Sequence, residues 1–171
     1  MSNLEIITKI LNDQFLSEDQ SAVVERDKRE DGSVFQMKFR IVKTPEIEYK
    51  LYRFESKDFP FFSDVKGMKK MCDFILISEE REHLRIFLIE LKLGPSSAKQ
   101  QLDAAYEFAM FILNSSKRIG QSINNYSIKK IRICQSSLTK RKNMAIENNY
   151  TFDENDYLDY KLQSIHLKNL M

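Results

Sequence analysis

Residues 72–92 read Cys72-Asp73-Phe74-Ile75-Leu76-Ile77, a polar break over 78–83, then Leu84-Arg85-Ile86-Phe87-Leu88-Ile89-Glu90-Leu91-Lys92. Two apolar runs of strand length thus flank a segment long enough for a hairpin loop and too polar for a core. Asp73, Glu90 and Lys92 lie inside or at the ends of those runs. A buried strand does not tolerate charge without a partner, because taking an ion out of water costs several kcal/mol. The fold must resolve that conflict.

Strand geometry brings the three charges together. Successive side chains alternate between faces, so Glu90 and Lys92 share a face with Ile86 and Leu88, and Asp73 shares one with Ile75 and Ile77. Directly opposed residues of an antiparallel pair keep a constant index sum. Pairing 73 with 90 places 78 opposite 85 and centres the turn between Arg81 and Glu82, in the middle of the charged break. This register sets the Cβ atoms of Asp73 and Glu90 about 4.5–5.5 Å apart. Opposed like charges repel unless something positive lies between them. A hard divalent cation held by carboxylate and carbonyl oxygens resolves the repulsion, and Mg²⁺ is the usual occupant of such open sites. Lys92, on the same face, is placed to hold or polarise a water.

The chain has 171 residues and a net charge of +2. That length suits one domain able to bury about two-thirds of its extended-chain surface. The charge is too small to argue for nucleic acid by itself. The two cysteines, Cys72 and Cys134, show neither C-x-x-C nor Cys/His metal spacing, and two buried, reduced thiols are expected rather than a disulfide. The first residues lack the basic flank, apolar stretch and small-residue cleavage site of a signal peptide. No apolar run approaches the ~18 residues of a membrane span. A cytoplasmic location is expected.

Apolar positions 4, 7, 10, 11 and 15 have helical spacing, with Ser2 or Asn3 as N-cap. Residues 17–29 permit a second helical segment, and Asp31-Gly32 marks a turn. Residues 33–42 alternate as a half-buried strand, Thr44-Pro45-Glu46 turns the chain, and Ile47, Tyr49 and Leu51 alternate again, which suggests a hairpin. The cluster Phe59-Pro60-Phe61-Phe62 and the run Lys66-Gly67-Met68-Lys69-Lys70 read as a connection draped over the core, ending in a basic approach to Asp73. Gly94 and Pro95 stop the strand after Lys92. Ser97 and Gln100 form a capping box, and Ala98, Leu102, Ala105, Ala109 and Ile112 give the next helix an apolar face broadened by Tyr106, Phe108 and Phe111. Residues 128–134 read as a strand and 160–167 as a last edge strand.

The order helix, strands, strand with Asp73, strand with Glu90-Leu91-Lys92, helix, strand resembles the PD-(D/E)XK nuclease superfamily, over about residues 3–135. The resemblance implies an α/β fold with a restriction-endonuclease-like core, a central mixed β-sheet flanked by helices. It also implies that Asp73, Glu90 and the Leu91 carbonyl ligate Mg²⁺, for which Mn²⁺ can substitute, and that Lys92 orients or activates the attacking water. Cys72 stands where the superfamily's name has Pro. Many exonuclease-like members carry Gln and, four residues later, Tyr on the following helix; here Tyr106 comes one position late after Gln101. Gln100, read as a helix cap, and Gln101 begin the helix near the site, and Gln101, Lys69 and Lys70 are candidate substrate-binding residues. An upstream acid is frequent in the family; Glu5, Glu18 and Glu25 are candidates, and the sequence does not choose among them. His83 and His166 carry no implied role.

The expected function is metal-dependent hydrolysis of phosphodiesters, in DNA before RNA, in bacterial or phage defence, restriction or repair. A homodimer mate or partner protein would supply specificity. Lys66, Lys69 and Lys70, then Lys117 and Arg118, then residues 140–142 could track phosphates. The alternative is a catalytically inactive nuclease-like fold that binds nucleic acid or protein.

Overall fold

Alternation decides most of the elements, and their order places a large sheet between a pair of helices on one face and a smaller sheet on the other. The structure, a computed structural model, describes residues 1–28, 32–55, 58–59, 63, 65–92, 96–134, 150–160 and 164–171. In chain order the elements are α1 (Asn3–Ile10), β1 (Ala22–Lys28), β2 (Val34–Val42), β3 (Glu48–Tyr52), β4 (Phe74–Glu80), β5 (His83–Lys92), α2 (Lys99–Ser115), β6 (Tyr126–Cys134), β7 (Tyr157–Tyr160), β8 (Ser164–His166) and α3 (Leu167–Leu170). Five strands form one mixed sheet in the order β3-β4-β5-β6-β7, and three form a second in the order β1-β2-β8.

The hairpin at 72–92 takes the register that the sequence suggests, with Phe74 opposite Ile89 and Ser78 opposite Arg85. Its loop is only Arg81 and Glu82, both at positive φ (50° and 64°). Such a turn twists with its strands, so the ladder continues through Glu80 and His83 into the charged break. β4 runs antiparallel to β3, whereas β6 lies parallel to β5 after the α2 crossover. Both faces of the large sheet are covered. Ile75, Ile77, Ile86 and Leu88 pack with α1 and α2, while Phe74, Leu76, Phe87, Ile89 and Leu91 pack with Val23, Met37, Phe39 and Ile165 of the smaller sheet. The central strands are apolar on both sides for this reason.

Several expectations change. Ser2 caps α1 in a capping box with Glu5, but the helix ends at Ile10, and Asp13–Phe15 is a 3-10 turn. Residues 22–28, expected to be helical, form β1, because the Val23-Val24 pair lies against β2 along its whole length. β2 does not pair with β3: it takes β1 and β8, and β3 covers the otherwise open edge of β4. The Ser97/Gln100 capping box does not form. Ala98 occupies the N-cap without a side-chain bond, the Ser97 hydroxyl accepts from the Lys99 N–H at 3.2 Å, and the Gln100 amide oxygen is bound by Lys70 instead. Tyr106 and Phe111 point outward from α2, and the buried face is Leu102, Ala105, Ala109, Ile112 and Leu113. The single edge strand expected over 160–167 is divided between β7, at the edge of the large sheet, and β8, in the small one. Both cysteines are free thiols, Cys72 buried and Cys134 half-buried. Asp31, Pro60-Phe61-Phe62, Gly94-Pro95 and residues 139–142 lie outside the described residues. Among the described residues, no helix is long and apolar enough to cross a membrane.

Candidate functional site

Asp73 immediately precedes β4 and Glu90 lies two residues before the end of β5, so continuing the hairpin ladder by one pair sets them opposite each other. The Asp73 N–H donates to Glu90 Oε2 at 3.2 Å, and the Leu91 N–H donates to Asp73 Oδ2 at 2.7 Å. Lys92 Nζ closes on Glu90 Oε1 at 2.5 Å. All three predicted site side chains therefore meet at one end of the central strands. The Leu91 side chain is turned into the core between the sheets, and only its backbone belongs to the site.

The electrostatics follow from burial. Glu90 is 3% exposed. Loss of water and then the neighbouring Asp73 charge push its carboxyl up to about 7, against the opposing pull of Lys92. Burial also raises Asp73, although the Leu91 N–H and the Lys92 and Arg53 charges draw it down. The Lys92 ammonium and the Arg53 guanidinium, itself paired with Glu25, only partly offset two opposed carboxylates, so near neutral pH the pair retains affinity for a positive charge, whether a proton or a cation. The Cys72 thiol beside them donates to the Phe74 carbonyl at 3.2 Å, and burial keeps it protonated.

The carboxylates open on a cleft of about 460 Å³ whose walls include Arg53, Lys69, Lys70, Asp73, Glu90 and Gln101. Lys69 and Lys70 reach it from a turn that Gly67 forms at φ 97°. Lys70 Nζ donates to Gln100 Oε1 at 2.8 Å, which ties this turn to the start of α2. Gln101 lies in the first turn of α2. The three expected substrate-binding residues thus line the same cleft as the acids. Tyr106 does not: it is exposed, with Lys130 Nζ over its ring at 5.1 Å.

Of the three upstream acids, Glu25 on β1 lines the cleft and pairs with Arg53 at 3.6 Å. Glu5 belongs to the α1 capping box, and Glu18 lines a different cavity, beside the 3-10 turn. Lys117 and Arg118 follow the far end of α2, roughly 25 Å from Gln101 at 1.5 Å per residue, so they do not continue the basic edge of the cleft. His83 bonds Asn125 and Ser127 and His166 bonds Ser164, both away from the cleft. Sequence reasoning missed Arg53. It follows β3 directly, with its guanidinium 5.6 Å from the Phe74 ring, and the β3–β4 register, continued by one pair, sets it opposite Phe74, the residue after Asp73.

The donor set suits a hard cation. Two carboxylates stand side by side with no imidazole in the cleft, and the adjacent thiol is protonated. Among the described residues, no three His, Cys, Asp or Glu side chains form a metal-holding group. Mg²⁺ needs fewer, since one or two carboxylates with water and carbonyl oxygens suffice. The chain matches no family model, no curated protein and no solved structure.

Proposed function

We propose that the chain is a Mg²⁺-dependent nuclease of the PD-(D/E)XK superfamily, cutting DNA in preference to RNA. The observation that carries this reading is the convergence of Asp73, Glu90 and Lys92 at the end of a hairpin buried on both faces. The strand order β3-β4-β5-β6 with α2 between β5 and β6 agrees with a restriction-endonuclease-like core. Phosphodiester hydrolysis needs a nucleophile near neutral pH and neutralisation of developing charge, and a bound Mg²⁺ supplies both. Asp73, Glu90 and the Leu91 carbonyl are the oxygens that would hold it. Lys92 orients the attacking water or donates to the scissile phosphate, while Lys69, Lys70 and Gln101 position the flanking strand. A cytoplasmic role in defence, restriction or repair, with a dimer mate or partner protein choosing the target, fits so small a domain.

The test is cleavage of plasmid and single-stranded DNA with Mg²⁺, Mn²⁺ or EDTA. Activity with the metals and none with EDTA is expected, together with its loss in Asp73→Ala and Lys92→Ala. Cleavage that persists unchanged in those variants would falsify the assignment. The tight Lys92–Glu90 ion pair favours a second reading, an inactive fold in which the lysine replaces the metal and the surface only binds. Calorimetry separates the two: an enzyme takes up Mg²⁺ or Mn²⁺ and loses that binding in Glu90→Ala, whereas the inactive fold shows no uptake.

A further inference from the structure

A second hollow, of about 400 Å³, adjoins the carboxylate cleft and shares Lys70 and Met71 with it. It lies between the 65–71 turn and the outer side of α2. Phe59, Phe108, Phe111, Met68 and Met71 line it. Its back wall is braced, with Phe59 and Phe108 edge to face at 5.5 Å and Phe54 against Phe108 at 5.0 Å. Its mouth is open: Phe111 is 55% and Met68 48% exposed. Glu107, one helical turn before Phe111, supplies the carboxylate of the lining.

The shape alone would admit any flat ring, and the shared wall narrows the choice. Lys70 faces both cavities, with Lys69 beside it in the cleft, so the occupant most compatible with this boundary is aromatic at one end and carries an anion at the other. Glu107 repels phosphate and accepts from the exocyclic amino groups of bases. An aromatic and methionine lining receives a base by stacking, whatever the sequence. We infer that this hollow takes one unstacked base of a single DNA strand, next to the nucleotide whose phosphate lies at Asp73 and Glu90. The inference rests on the nuclease reading and deepens it: the substrate is single-stranded or splayed DNA, because a base inside a duplex cannot enter a side pocket without leaving its stack.

Fluorescence anisotropy tests this with the full chain in EDTA, where binding is read without metal-dependent turnover. Single-stranded DNA of mixed sequence should bind at least about tenfold more tightly than the same sequence as duplex. Phe111→Ala, which removes an exposed ring, and Ala104→Leu, which fills the hollow, should each weaken single-strand binding about tenfold. A single abasic site moved along the strand should weaken wild-type binding by a similar factor at one position and leave Phe111→Ala unaffected there. Equal affinity for both DNA forms, no DNA binding, indifference of the wild type to every abasic position, or wild-type affinity in both variants overturns the inference. Thermal melts confirm that the variants fold. The two readings fail separately. Asp73-dependent cleavage with no effect of Phe111→Ala removes the base pocket alone, and abasic-dependent binding with no cleavage in any metal removes the nuclease alone.

Discussion

The two ends of the β4–β5 hairpin treat acidic residues in opposite ways. At the turn end, Glu79 accepts the backbone N–H groups of Asn3 and Leu4 at 3.0 and 2.9 Å, Glu80 pairs with Arg85 at 3.5 Å, and His83 is held by Asn125 and Ser127. Glu79, Glu80 and His83 thus each have their own partners, and the bonds to Glu79 dock the start of α1 on the sheet. At the other end, Asp73 and Glu90 face each other and share Lys92. A carboxylate with two backbone donors is satisfied as built, whereas two carboxylates crowded together repel each other unless a proton or cation lies between them. The same hairpin thus carries an acid tied into the backbone and, in the nuclease reading proposed above, a catalytic pair, distinguished by their partners and not by residue type.

Exchanging one acid at each end tests this contrast where the effect is largest. Glu90→Gln should lower Mg²⁺-dependent DNA cleavage at least about a hundredfold, the scale of losing a group that stabilises transition-state charge. Glu79→Gln should leave the rate within about twofold, since it lies at the far end of the strands. Initial rates on single-stranded DNA report both, and equal losses would remove the distinction between the two ends.

Stability in the absence of metal should fall as pH rises, and the sign comes from the acid pair. Glu90 binds its proton more tightly in the folded state, at about 7 against an ordinary 4.5, and burial shifts Asp73 in the same direction. Their contribution is therefore fully present below about 4.5 and is lost as pH rises through about 7. The loss is on the order of 2 kcal/mol. Asp19 and Glu46 shift the opposite way, so their effect is confined to more acidic solution. Thermal melts in EDTA should show a lower Tm at pH 8 than at pH 5.5, Mg²⁺ should restore part of it at pH 8, and Glu90→Gln should flatten the profile. A metal-free Tm that rises over this interval would show that the pair is already neutralised.

What was legible in the sequence had local causes. The hairpin register, and with it the meeting of Asp73, Glu90 and Lys92, follows from alternation around one short turn. The apolar face of α2 follows from its spacing. The choice among Glu5, Glu18 and Glu25 depended on the second sheet, because only pairing with β2 carries Glu25 over the cleft. That pairing was hidden because residues 17–29 permit a helix as readily as a strand until a partner is present. Arg53 was missed for a related reason. With β3 assigned to β2, nothing placed its end beside Asp73. The failed Ser97/Gln100 cap is also a long-range effect, since Lys70 takes Gln100 from thirty residues away.

A smaller effect is expected at Glu79. Removing its carboxylate in Glu79→Ala leaves the Asn3 and Leu4 N–H groups without their acceptor, at a cost of about 1–2 kcal/mol. Urea denaturation should show a lower midpoint with an unchanged slope. An unchanged midpoint would mean that α1 docks through Leu4, Ile6 and Ile7 alone, and the turn end would lose its structural acid.

The smallest change concerns the turn itself. Arg81 and Glu82 occupy left-handed conformations, φ 50° and 64°, that side chains with a Cβ adopt at a cost and that Asn-Gly adopts readily. Both side chains are exposed. The inward bonds from Asn3 and Asn125 go to the Glu82 carbonyl, which survives substitution. The double variant Arg81→Asn, Glu82→Gly should therefore gain about 0.5–1 kcal/mol in urea denaturation. It should also cleave DNA at the wild-type rate, because β4 and β5 keep their register and the acid pair lies at their far end. A gain in stability with a loss of activity would mean that relaxing the turn shifts the ladder, so that the two ends of the hairpin are mechanically one unit.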